Sequence, residues 1–199
     1  KDNNSDIFFN GNYHSKNNDF DQYLKRFGYT FKNELNELGG YVILKNKKII
    51  LVMDVGSSPN KNFSTDYQYG ALSFEIFSNQ KKLITNAGYF SDKKSKLNRL
   101  SKSTSVHNTL IIEDFSSCTS KKSGKCIVVD KGLKVLKKNI VFEKNYWKIS
   151  GSHDGYLQKF GSIHERTVEF YPEQNKFVGY DKILRKNPKK EIKFDIRFH

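Results

Sequence analysis

Residues 164–184 read HERTVEFYPEQNKFVGYDKIL, and this stretch decides the fold. Thr167, Val168, Glu169, Phe170 and Tyr171 alternate polar with apolar, the period of a strand whose successive side chains point to opposite faces. The EQN turn breaks the run before a second β-rich stretch, KFVGYDKI, so the segment reads as a hairpin. LKNKKIIL, residues 44–51, reads as another. The same grammar continues from Gly39 onward: GYVILKN, KIILVMDVG, ALSFEIFSN, HNTLIIED, LKVLKKNIVFEKN and EIKFDIRFH are short runs bounded by Asn, Gly, Asp or Pro. Lys193 to Phe198 alternates too. No segment after residue 40 keeps a helical period over the length of a helix, so the chain reads as all-β, an antiparallel sandwich or barrel.

Residues 1–38 are different. They mix aromatics with Asn and Asp, and DQYLKRFGYTFKNELNEL (21–38) suits either a short helix or an irregular approach segment. This divides the 199 residues into an approach segment, 1–38, and a β domain, 39–199, which is long enough for a sizeable core. The chain begins without methionine and stops inside the alternating FDIRFH, from which a longer parent protein is expected. No run approaches the roughly 20 apolar residues of a membrane span.

Lys and Arg outnumber Asp and Glu by 35 to 21, a net charge of +14, which favours polyanionic partners through long-range attraction. Much of the lysine sits in turns, where a solvated face is the ordinary explanation. The basic and aromatic residues form no RNP-like pattern, and there is no Gly-rich phosphate loop, GxSxG or CxxC. A nucleic-acid partner would rest on charge alone and is not expected. Cys118 and Cys126 flank a seven-residue loop and fit either a disulfide or two free thiols.

None of the five histidines forms HxH, HxxH or HExxH. His107 in STSVHNTLII (103–112) suits either chemistry or a packed position at a strand entrance. His164 and Arg166 share a face at strand spacing and suit anion binding. With His153 of SHDGY they form a candidate substrate-binding set; the alternative is a solvent-facing row and a capped loop. Asp66, Tyr67, Gln68 and Tyr69 crowd just ahead of the LSFEIF strand, where phenols can stack on a sugar or exchange protons with it.

The order of these motifs is more specific than any one of them. GGYVILKNKKIILVMDVG, DYQYGALSFEIF, KKLITNAGYF, SKSTSVHNTLIIED, SHDGY, HERTVEF, KFVGYDKI and IRFH, taken in succession over about residues 39–199, resemble the C-terminal β-sandwich of heparinase II/III-like polysaccharide lyases. The resemblance implies a large antiparallel, supersandwich-like β-sandwich, preceded in the parent protein by an α-helical toroid absent here. It implies β-elimination on an acidic, uronate-containing polysaccharide, and a periplasmic or cell-envelope location. Elimination needs a neutralised carboxylate, a base and an acid. The toroid of such enzymes supplies an Asn and a Tyr, so this fragment is expected to be inactive alone.

Relatives carry an HxHxD-like run before the LSFE strand and a structural zinc. Here Asp66 and Gln68 fall at the two His positions, or the run is deleted. The metal-equivalent positions are then His107, Gln68 and Asn86, a set without an anionic ligand that should bind zinc poorly. No cofactor is expected. Asp66, Tyr67 and Tyr69 remain the candidate catalytic groups of this chain.

Overall fold

The computed structural model describes residues 22–23, 25–28, 36–79, 81–124, 126–188 and 191–199. Most of the 21–38 stretch lies outside these; residues 22–23 and 25–26 are helical. β1 (Glu37–Leu38), β2 (Tyr41–Lys45), β3 (Ile49–Asp54), β4 (Phe74–Ser78) and β5 (Lys81–Ile84) form an antiparallel sheet in that order. α1 (Lys96–Ser101) precedes β6 (Leu110–Ile112), and β7 (Thr119–Ser123) pairs with β8 (Cys126–Lys131). β9 (Val135–Phe142), β10 (Trp147–His153), α2 (Leu157–Phe160), β11 (Ser162–Tyr171) and β12 (Lys176–Arg185) follow. Those four strands make the second sheet, in the order β12-β11-β10-β9, and β13 (Phe194–Ile196) pairs with β6.

The expected antiparallel sandwich is what the residues build. β3 is buried throughout and apolar up to its last residue, Asp54, the pattern of a strand covered on both faces. One of its faces places Leu51 between Leu44 of β2 and Ile76 of β4. That face packs on Trp147, Ile149, Val168 and Phe170 of the other sheet to form the main core. Trp147 meets Phe170 edge-on at 4.9 Å between ring centres, and Phe177 stacks on Phe170 at 4.3 Å. On the other face Ile50, Val52 and Phe77 make a second cluster.

Both expected hairpins form. β11 and β12 pair from Tyr171↔Lys176 to Ser162↔Arg185, and the chain reverses through Pro172–Gln174 with Asn175 left-handed at φ 47°, a conformation Asn tolerates better than most residues. Between β2 and β3, the Asn46 side chain accepts from the backbone N–H groups of Lys48 and Ile49, each at 2.8 Å. The short helix α1 was not expected. Its six residues, capped by the Ser95 hydroxyl accepting from Leu97 N–H, are too few to display a period. The alternation of 193–198 yields only a three-residue strand, β13, exposed along its length. Cys118 and Cys126 are free thiols.

Candidate functional site

STSVHNT is a stitching segment, and each polar residue in it has a backbone or side-chain partner. Thr104 donates to the Tyr69 carbonyl (2.6 Å), Thr109 to the Ala71 carbonyl (3.0 Å) and the Asn108 amide to the Phe74 carbonyl (3.1 Å). Together they pin the 66–74 loop and the start of β4. His107 is 1% exposed, its Nδ1 lies 2.8 Å from the Ser103 carbonyl and its Nε2 lies 2.9 Å from the Gln68 carboxamide. The Ser103 carbonyl can only accept, so Nδ1 carries the proton and Nε2 keeps its lone pair; the Gln68 oxygen placed against Nε2 is also an acceptor, so the carboxamide is assigned in its flipped sense, with its NH2 donating to Nε2. Burial pulls the His107 pKa down to about 4, which keeps the ring neutral. A Cβ on Gly70 would stand 2.5 Å from the ring, so only glycine lets the loop pass.

Of the three metal-equivalent positions, His107 and Gln68 touch each other, and Asn86 is tied to Asn108, the residue after His107. The Asn86 carboxamide oxygen accepts from Asn108 N–H at 2.8 Å and its amide reaches Ser73 at 3.5 Å. His107 and Gln68 are already bonded to each other. The three donors are thus all neutral and already engaged by partners, and among the described residues no group of three His, Cys, Asp or Glu comes together that could hold a metal. This set does not fit zinc, which needs thiolate, carboxylate or uncommitted imidazole ligands.

His153, His164 and Arg166 do come together, but in the interior. They are 1%, 0% and 1% exposed, which corrects the expectation that they touch substrate. The anion they hold is Asp181, opposite Arg166 on β12. Arg166 grips it through Nε at 2.8 Å and Nη2 at 3.0 Å, and its Nη1 donates to the carbonyls of Leu72 and Asn108. Gly155 N–H donates to His153 Nδ1 at 3.1 Å, so His153 Nε2 carries the proton that faces His164 Nδ1 at 3.2 Å. His164 Nε2 in turn donates to Asp181 at 2.6 Å. Burial drives both imidazole pKa values down. The Asp181 pKa is also lowered: burial alone would raise it, and the hydrogen bonds from His164 and Arg166 outweigh that.

The 66–69 loop has two sides. Asp66 accepts from the Tyr89 hydroxyl at 2.8 Å and pairs with Lys93 at 3.4 Å. These contacts prevail over desolvation and lower its pKa, so it is a fixed carboxylate and a weak base. Tyr67 and Tyr69 are 7% and 6% exposed, and burial raises both phenol pKa values, that of Tyr67 most strongly. Tyr67 turns toward a cleft of about 490 Å³ that it shares with Asp54 and Asp66. Tyr69 lines a hollow of about 340 Å³ with Arg99 and Lys102; the Lys102 ammonium donates to the Thr65 carbonyl.

That hollow adjoins a groove of about 650 Å³ between α1 and the β7–β8 hairpin, lined by Lys93, Lys94, Arg99, Lys121 and Lys122. Arg99 borders both. The groove gathers into one place part of the lysine that reads in sequence as scattered turns. Asp54 and Asp181 played no part in the reading of the sequence. Asp54, the one acid in the buried β3 run, was visible as an anomaly; Asp181 sits among mixed residues of an exposed strand and gave no signal.

The family model of the heparinase II/III-like C-terminal region matches residues 34–199. No curated protein gives a significant match. Among solved structures, the heparan sulfate lyase HepC from Pedobacter heparinus superposes with a TM-score of 0.63 at 16% identity, covering 91% of this chain and 30% of that one. A structure described as heparinase III gives 0.64 at 20% identity, covering 92% and 31%. The heparinase III BT4657 gene product gives 0.65 at 16% identity, covering 89% and 29%. The chain thus spans under a third of the length of these proteins. At such identities the superpositions speak for the fold alone, whereas the family model spans the whole β region, and the chain belongs to the heparinase II/III-like family as its C-terminal domain.

Proposed function

We propose that this chain is the sandwich part of a polysaccharide lyase that acts on an acidic, uronate-containing polymer by β-elimination, and that it holds the polymer in the groove between α1 and the β7–β8 hairpin. The observation that carries this reading is the convergence of five cationic side chains on that groove. Carboxylate-bearing sugars are drawn there by charge, and Arg99 offers the planar fork that suits a carboxylate. A periplasmic or cell-envelope setting goes with such a substrate.

The proton transfers are a separate matter. Elimination needs a base near neutral pKa or a phenolate kept available. Asp66 is too weak a base, Tyr67 faces the other cleft, and Tyr69 alone adjoins the cationic groove. Tyr69 is therefore the group of this chain best placed to touch the reacting sugar, although burial raises its phenol pKa and Ser120 and Arg99 only partly offset that. Its burial argues that a second group, from a preceding helical domain, completes the reaction. A non-catalytic glycan-binding role is the rival, favoured by the locked Gln68–His107 pair, which ties up the imidazole at the family's ligand position.

The two are separated by incubating full-length protein with uronate polymers and following ultraviolet absorbance of the unsaturated product. Product formation that falls at least tenfold in Tyr69→Phe is expected. Binding with no product from any uronate polymer would establish the non-catalytic role instead.

A further inference from the structure

The cleft on the opposite side of the 66–69 loop has a chemistry unlike the rest of this cationic chain. Its volume, about 490 Å³, lies in the range of small-ligand sites. Asp54 ends the buried β3 and is 4% exposed, yet among the described residues its carboxylate has one hydrogen bond, from Gly56 N–H at 2.9 Å. Burial raises its pKa to about 7. The Tyr67 hydroxyl, 93% buried with its residue, has no hydrogen-bond partner among the described residues. A buried hydroxyl without a partner calls for a water or a ligand.

The rim supplies the rest. Phe63 is 82% exposed at the mouth and presents a bare ring face. Gly40, at φ +86°, lets its strand end approach Gly56 so closely that a Cβ there would lie 2.8 Å from Gly56 Cα. Among the described residues the cleft lining holds two acids, Asp54 inside and Asp66 on the edge, and no Lys or Arg, so a carboxylate or sulfate finds no cation there to hold it.

We propose that this cleft binds a sugar residue that carries no anionic group, its hydroxyls meeting Asp54 and Tyr67 and its C–H face packing on Phe63. Sugar hydroxyls both donate and accept, which suits a carboxylate acceptor beside a phenol, and an aromatic ring provides apolar area at little entropic cost. The inference rests on the polysaccharide reading and deepens it: the groove takes the acidic units of a polymer and this cleft takes a neutral one.

The test is amide chemical-shift mapping of the labelled chain against neutral monosaccharides (glucose, galactose, N-acetylglucosamine) and glucuronate, with acidic polymer titrated separately. Shifts centred on Asp54, Phe63 and Tyr67 with at least one neutral sugar are expected. Phe63→Ala, at an exposed position where folding is not at stake, and the conservative Asp54→Asn should each weaken that binding about tenfold. Glucuronate should bind the cleft at least tenfold more weakly than the best neutral sugar. Three results would each overturn the proposal: no shifts there with any neutral sugar, equal binding of glucuronate, or neutral-sugar binding that survives both variants. If acidic polymer still binds the groove in those cases, the polysaccharide reading stands and this inference alone falls. If acidic polymer fails to shift the groove while neutral sugars fill the cleft, the groove assignment falls instead.

Discussion

His107 is a neutral ring held from both sides, and its surroundings give it a consequence for stability. Its folded pKa of about 4 lies below the ordinary histidine value because burial penalises the cation. The unfolded chain therefore takes up a proton as pH falls through about 6.5, while the folded chain takes it up only near 4. Unfolding then binds more protons and stability drops across that window. His153 and His164 are depressed as well and act with the same sign. Asp54 opposes them: its folded pKa of about 7 exceeds the unfolded value of about 3.9, so it adds stability as pH falls from 7 toward 4. Three histidines outweigh one carboxyl, and urea midpoints should decline from pH 7 to pH 4. Asp54→Asn removes the opposing group and should steepen that decline. A flat profile, or one that the substitution leaves unchanged, would show that these groups are not protonated as the geometry requires.

At the scale of elements, the β11–β12 hairpin shows both what could be read from sequence and what could not. Its turn and pairing are local, so Pro172, Asn175 and the alternation on either side announce them. Parity also held information left unused: His164 and Arg166 share their face with Val168 and Phe170, and that face is buried along the whole strand. The alternative of a solvent-facing row was thus excluded by the strand's own pattern. Asp181 stayed hidden because a partner's position depends on register, which no residue of a hairpin states alone. The order of the sheets was hidden for the same reason, and α1 because six residues carry no period. What the register creates is a buried ion pair bridging β11, β12 and the loop carbonyls of Leu72 and Asn108. Asp181→Ala should therefore cost about 3–5 kcal/mol, the penalty of stranding a buried guanidinium, as read by denaturant titration. A cost under about 1 kcal/mol would mean that Arg166 finds another partner and that the pair is not what joins these segments.

For the whole molecule, the surplus of charge acquires a direction only after folding. Nothing in the sequence distinguishes Lys121 and Lys122 from lysines elsewhere in turns, because the β7–β8 hairpin and α1 are brought together by tertiary contacts. Once they are together, cations crowd one groove while two carboxylates, Asp54 and Asp66, line the cleft beyond the same loop. The surface is polarised across a single short segment, Asp66 to Tyr69. Attraction of that kind is screened over a Debye length of about 8 Å at physiological salt and about 3 Å at 1 M. Binding of an acidic polysaccharide should accordingly weaken steeply with added salt, and replacing Lys121 and Lys122 together by alanine should lower affinity roughly three- to tenfold at low salt and reduce the salt dependence. The same replacement outside the groove, at Lys148 and Lys182, which share a different hollow along the second sheet, should do little. Isothermal titration of both double variants decides between a localised groove and diffuse attraction: equal losses from the two pairs would mean that net charge alone recruits the polymer and that the groove has no special part.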